Sequence, residues 1–203
     1  MTPPADIRSG TAGLAAALAA GSVIAIPTDT VYGLVCDPGN LRAVRRVYDV
    51  KGRPDALELT LLAASAADLE GLVEFNEPAR RVAAAYWPGG VSIILPVGTR
   101  RLAIPLRGGT LSCRVPGHAL ALKLLRQTGP LASTSANRHG MPAAITAGDA
   151  VERLRGQVDT ILDGGPAAGR ASTIIDCTTT PPRVLREGPV TSAALLALLR
   201  TWE

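Results

Sequence analysis

The chain has 203 residues, 47% hydrophobic but only 3% aromatic, with a formal net charge of +4. A chain of this length buries roughly 70% of its unfolded surface, so it needs no disulfide staples, and its core must be built from Ala, Val, Leu and Ile. The modest positive charge permits an anionic partner such as nucleotide or RNA, while six scattered aromatics form no stacking platform for single strands.

Helical and strand patterns alternate to the end without repeat, linker or long charge run. This predicts one domain over 1–203, α+β or α/β-like. Thr11 to Ala20 reads as a helix stopped by Gly21. Ser22–Ile26 reads as an apolar strand that enters Pro27–Gly33, a loop too rich in hydroxyls to be core. Asn40 is placed to cap a helix through about Asp49. Lys51-Gly52-Arg53-Pro54 is expected to be extended, because the residue before a proline avoids the helical region. Leu59–Ala63 reads as a buried strand. Ser65 with Asp68 resembles a helix start, and Asn76-Glu77-Pro78 opens a helix ending near Trp87. Val91–Val97 and Thr110–Val115 are predicted strands, and His118–Gln127 a helix closed by Gly129-Pro130. Ser133–Asn137 reads as a Ser/Thr/Asn loop after the short apolar entry Pro130-Leu131-Ala132. Asp149–Leu154 is predicted as helix, Val158–Leu162 and Ser172–Cys177 as strands, and the last helix runs from about Ser192 to Arg200.

Cys36, Cys113 and Cys177 are odd in number and far apart. They read as reduced core thiols of a cytoplasmic protein, and no Cys or His pair has metal-ligand spacing. The N-terminus has no targeting pattern, and Ala12–Ala20 is too short to span a bilayer. Gly164 to Ala171 has a Walker-like span, but Arg170 and Ala171 replace the lysine and the Mg²⁺-binding hydroxyl, so it is not a P-loop. Ser135 and His139 lack an orienting acid, which leaves no nucleophilic triad.

Three features remain. Lys51 is one of two lysines against nineteen arginines. In an extended segment Lys51 and Arg53 share one face, and two cations there suit a polyphosphate; the alternative is a solvated basic turn. Ser133–Asn137 offers neutral donors to phosphate or ribose oxygens, or is an ordinary turn. Arg114 ends an apolar strand, either as a solvated terminus or as a fork for a substrate carboxylate.

In this order the segments resemble the YrdC-type L-threonylcarbamoyladenylate synthases, in the short form. The matching stretches are Ile26–Leu34, Val50–Pro54, Tyr86–Gly89, Arg114–His118, Ser133–Asn137 with Gly140, Asp163–Gly165, Ala171–Asp176 and Leu185–Gly188. The resemblance implies a twisted mixed β-sheet with flanking helices and an open basic concave cleft. It implies that L-threonine, bicarbonate and ATP give threonylcarbamoyl-AMP and pyrophosphate, with Mg²⁺ carried on the phosphates. The product feeds tRNA threonylcarbamoyladenosine modification through a separate transferase complex. By position, Lys51, Arg53, Ser135 and Asn137 match the catalytic and nucleotide-holding constellation, and Ser92 and Arg186 match further ATP contacts. Thr30, Tyr32, Arg114, Ser133 and Ser172 match the threonine pocket. Glu58, Leu62, His139 and Ala171 depart from the family pattern, and Glu58 brings a negative charge toward the expected polyphosphate. Two alternatives stay open at this point: a non-catalytic module for tRNA or double-stranded RNA, and a paralogue that forms another carbamoyl-adenylate.

Overall fold

The computed structural model describes residues 5–52, 58–106 and 108–200. Ten strands form one mixed sheet: β1 (Asp6–Arg8), β2 (Ile24–Ile26), β3 (Gly33–Cys36), β4 (Thr60–Leu62), β5 (Val91–Pro96), β6 (Thr110–Arg114), β7 (Leu131–Ser135), β8 (Thr160–Leu162), β9 (Thr173–Asp176) and β10 (Arg183–Arg186). Their spatial order is β1-β8-β2-β3-β7-β4-β6-β5-β9-β10. The helices are α1 (Leu14–Ala19), α2 (Leu41–Lys51), α3 (Glu77–Tyr86), α4 (Ala119–Thr128), α5 (Ala147–Arg153) and α6 (Ser192–Arg200).

Strand alternation divides the apolar residues between the two faces of the sheet. Ile24 and Ile26 of β2 pack with Leu14 and Leu18 of α1 and with Leu124 and Leu125 of α4. Val23 and Ala25 turn the other way, into the larger cluster with Val44 and Val47 of α2, Val82 of α3, Ala150 of α5 and Leu195 of α6. The mixed α+β sheet is the architecture expected.

Local chemistry sets the helix ends. Asn40 Oδ1 accepts from the backbone N–H groups of Arg42 (3.1 Å) and Ala43 (3.2 Å), which would otherwise be orphaned. Asn76 caps α3 in the same way, through Ala79 N–H. Gly52 closes α2 at φ 58°, a left-handed conformation that glycine adopts without steric cost.

Several expectations need correction. Lys51 is not in an extended segment: it is the last residue of α2. Pro54 restricts only the residue directly before it, so the helix is free to run through Lys51. Arg53 lies outside the described residues. Ser133, Thr134 and Ser135 are not in a loop but in β7, paired with β3 on one side and, at Ser133, with β4 on the other. The Ser65–Asp68 helix is a single 3-10 turn, Ala67–Leu69. Helix α1 begins three residues later than expected, at Leu14. Three strands differ from expectation: the edge strands β1 and β10, and β3, which begins at Gly33, the residue read as the end of the polar loop.

Candidate functional site

The hydroxyl-bearing residues converge because the middle of the sheet aligns them. Gly33 of β3 lies opposite Ser135 of β7, Thr60 of β4 opposite Ser133, and Leu62 opposite Arg114 of β6. A Cβ at Gly33 would stand 3.0 Å from Ser133 Oγ, so the missing side chain leaves Ser133 its place. These strand ends and the neighbouring loops line an open cavity of about 410 Å³. Thr30, Tyr32, Arg114, Ser133 and Ser172, the expected threonine-side residues, all line it. So do Ser92, Ser135, Asn137 and Arg186, the expected nucleotide-side residues, and three of the departures, Glu58, Leu62 and Ala171.

Lys51 stands behind this wall. It is buried, and its Nζ donates to Ser135 O (2.7 Å), Asn137 Oδ1 (3.1 Å) and Ser135 Oγ (3.3 Å). An ammonium group only donates, so Ser135 Oγ is an acceptor there and keeps its own proton for another partner. Asn137 is fixed equally: its Nδ2 donates to Arg138 O (2.9 Å) and Met141 O (2.5 Å). The exposed His139 offers no side-chain chemistry to this cluster; its backbone N–H donates to Lys51 O (2.8 Å) and satisfies a carbonyl at the end of α2.

Arg114 is not a solvated strand terminus: it is 5% exposed. Its Nε donates to Gly89 O (2.8 Å), Nη1 to Thr30 Oγ1 (2.7 Å) and Nη2 to Asp29 Oδ1 (2.5 Å). That engages three of the five guanidinium N–H groups and leaves two for a ligand. Burial pulls the Arg114 pKa down, and the Asp29 carboxylate opposes that pull. Arg186, near enough to disfavour the Arg114 charge, has its own pKa lowered by partial desolvation. Two arginines close together, Arg114 buried and Arg186 exposed, favour an anionic ligand between them.

Arg186 also organises a third cluster. Its Nε donates to Ser172 O (2.9 Å) and its Nη2 to Ser172 Oγ (3.1 Å), while Ser172 Oγ lies 2.9 Å from Ser92 Oγ. Tyr32 is fully buried; its hydroxyl donates to Gly165 O (2.8 Å) and accepts from Gly164 N–H (3.3 Å), and burial raises its pKa. Among the described residues no group of three His, Cys, Asp or Glu side chains is arranged to hold a metal. No described helix is long and apolar enough to cross a membrane.

Sequence reasoning missed Asp29 and Thr28. Both stand in the hydroxyl-rich loop already recognised as too polar for core. Nothing local signals that Asp29 meets an arginine 85 positions away, whereas Thr28 bonds within its own turn, to Thr30 and Val31, a local pattern that threonine in a loop favours.

A family model described as "Telomere recombination", for Sua5, YciO and YrdC proteins, matches residues 16–188. The chain belongs to this family. It is 39% identical over 200 residues to a putative threonylcarbamoyl-AMP synthase of Mycobacterium leprae, covering 97% of this chain and 90% of that one. It is 37% identical over 190 residues to the threonylcarbamoyl-AMP synthase of Bacillus subtilis, where it spans 55% of the relative. The structure of Pyrococcus abyssi Sua5 complexed with L-threonine superposes at TM-score 0.85 and 34% identity, over 92% of this chain and 56% of that chain. Escherichia coli YciO superposes at TM-score 0.80 and 29% identity, over 90% of both chains.

Proposed function

We propose that this chain is a threonylcarbamoyl-AMP synthase that joins L-threonine, bicarbonate and ATP. The carrying observation is that one cavity gathers a half-engaged buried arginine beside hydroxyls, a second arginine, and a serine whose proton a buried lysine leaves unclaimed. The names of the Mycobacterium and Bacillus relatives and the threonine-bound archaeal structure support this reading rather than a non-catalytic RNA module.

The threonine amine combines with bicarbonate, losing water, to give a carbamate. A carbamate oxygen then attacks the α-phosphorus of ATP; the new P–O bond forms as the bond to the bridging oxygen breaks, and pyrophosphate leaves with that electron pair. Such a displacement depends chiefly on positioning and charge neutralisation. Arg114, with Thr30, Ser133 and Ser172, holds the amino acid, and its two remaining N–H groups suit the carboxylate. Lys51 orients Ser135 and Asn137 at the nucleotide, joined by Ser92, Arg186 and Arg53. The ATP enters with Mg²⁺ on its phosphates as part of the substrate. The product supplies the threonylcarbamoyl group to a transferase acting on tRNA adenosine.

The test is pyrophosphate release by purified protein with Mg²⁺-ATP. Release should require both threonine and bicarbonate and fall to the level of a Lys51→Ala control when either is omitted. Release unaffected by threonine, or none above that control, would sink the proposal. A screen of other amino acids under the same conditions shows whether the acceptor is threonine.

A further inference from the structure

The hydroxyls of the loop between β2 and β3 have a determinable direction. Thr28 Oγ1 lies 2.6 Å from Val31 O and 3.0 Å from Thr30 Oγ1. A hydroxyl has one proton and a carbonyl oxygen only accepts, so the Thr28 proton belongs to Val31 O. If Thr28 donated to Thr30 instead, two oxygen lone pairs would face each other at 2.6 Å. Thr30 is therefore the donor in the Thr28–Thr30 bond. The backbone N–H groups of Thr30 (3.2 Å) and Val31 (3.3 Å) also point at Thr28 Oγ1 and, being longer than the 3.0 Å bond from the Thr30 hydroxyl, share its second lone pair, which leaves no capacity for a ligand although Thr28 borders the cavity. Thr30 Oγ1 has given its proton to Thr28 and receives one from Arg114 Nη1 at 2.7 Å. What remains on Thr30 is one lone pair.

We propose that Thr28 is a positioning residue that locks Thr30 as an acceptor-only hydroxyl, so that this point of the cavity selects an N–H or O–H donor on the amino-acid substrate. The inference rests on the synthase reading and deepens it. Thr30 cannot donate to a carboxylate or phosphate oxygen while the relay Arg114→Thr30→Thr28→Val31 O is intact. The carboxylate is left to the two remaining N–H groups of Arg114, and the neighbouring amine or side-chain hydroxyl falls to Thr30. The relay thus gives the pocket a polarity that distinguishes the substrate's donor from its acid.

The experiment measures L-threonine affinity by calorimetry and steady-state pyrophosphate release on the full chain. Thr28→Val keeps the shape and removes the relay. It should weaken threonine binding about tenfold, the loss of roughly one hydrogen bond to a charged or polar ligand group, with the KM for ATP within about twofold of the parent. Thr28→Ser should behave as the parent. Thr30→Val should show the same loss, and adding Thr28→Val to it should cost nothing more, because Thr28 acts through Thr30. Repeating the series with L-2-aminobutyrate assigns the donor. A loss that persists identifies the amine and one that vanishes identifies the threonine hydroxyl, and either supports the relay. Parent-like threonine affinity in Thr28→Val, or additive losses in the double variant, overturns it. Should Thr28→Val fail to fold, parent-like threonine affinity in Thr30→Val overturns it equally. If the unsubstituted protein binds no threonine at all, the synthase reading has failed first, and this inference with it.

Discussion

The Lys51 cluster and the Arg114 cluster bury one cation each against polar groups of the same cavity, yet they prime it in opposite senses. Lys51 donates to Ser135 O, Ser135 Oγ and Asn137 Oδ1, and so leaves Ser135 with a proton to offer. Arg114 donates to the Asp29 carboxylate and to Thr30, whose proton has already passed to Thr28, and so leaves Thr30 with a lone pair to offer. A donor hydroxyl suits phosphate oxygens, and an acceptor hydroxyl suits an amine or alcohol. The sign of a binding group is thus set one bond behind the surface, by partners the ligand never touches.

The sharpest way to break this contrast is at Lys51. Lys51→Ala removes the ammonium donor from Asn137 Oδ1, Ser135 Oγ and Ser135 O, although Ser135 O keeps Asn137 N–H and the Asn137 amide stays bonded to Arg138 O and Met141 O. We expect kcat/KM for ATP to fall at least about a hundredfold, with calorimetric threonine affinity within about threefold of the parent. An equal loss for both ligands would mean that the two clusters are not separable.

The next largest effect should come from Asp29, whose Oδ1 receives both Arg114 Nη2 and Gly117 N–H. Asp29→Ala unanchors the guanidinium and should raise the KM for threonine about tenfold and lower stability to urea by about 2 kcal/mol. Asp29→Asn keeps an acceptor oxygen while removing the countercharge, and should stay within about threefold of the parent KM. If the asparagine variant is as impaired as the alanine variant, the charge and not the geometry of Asp29 is what matters.

Arg46 and Asp159 form a bidentate pair on the surface, unlike the single bond of Arg114 to Asp29, with side chains 38% and 36% exposed. Burial alone would raise the Asp159 pKa, but the bonds from Arg46 and Val23 N–H outweigh it and hold the carboxyl below its ordinary value. A depressed carboxyl stabilises the fold above its unfolded pKa of about 3.9, and that contribution is lost as pH falls through the folded value. Solvent screening keeps it small. Asp159→Asn should cost less than about 1 kcal/mol in urea unfolding at pH 7, converge with the parent in acid, and leave both KM values unchanged. A KM shift there would show that ion pairs affect the cavity regardless of position.

The smallest effect is expected at the cysteines, which belong to neither cluster. Burial, then Asp37 for Cys36 and Asp176 for Cys177, pushes those two thiols up to about 12, and burial raises Cys113 as well. At pH 8 the folded protein should take up no iodoacetamide on these three residues and keep full activity, whereas unfolding in urea should open all three to alkylation.

Much of this arrangement was legible in local chemistry. Asn40 and Asn76 announced helix starts because a side-chain oxygen before an apolar repeat has one obvious use. The hydroxyl-rich loop 27–33, Arg114 and Ser133–Asn137 stand out in the sequence by their polarity, Arg114 and Ser133–Asn137 with an ordinary structural reading beside the functional one. Ser92, Ser172 and Arg186, by contrast, were indicated only by the family resemblance. The errors have physical causes. Ser133–Ser135 looked like a loop because small hydroxyl residues carry little strand signal, and its neighbours Gly33 and Thr60 are remote in sequence. Strands β1 and β10 are short and mostly exposed, without the alternation that marks a half-buried strand. Asp29 acts through Arg114, which only the fold brings near, whereas Thr28 acts through its sequence neighbours Thr30 and Val31, and what the fold adds is the arginine on Thr30.

The most direct test is a crystal structure of the protein with a non-hydrolysable ATP analogue and L-threonine. The expected complex has Ser135 Oγ donating to a phosphate oxygen, Arg114 on the threonine carboxylate, and Lys51 still bonded to Asn137. Nucleotide bound outside this cavity, or threonine lying away from Arg114, would contradict it.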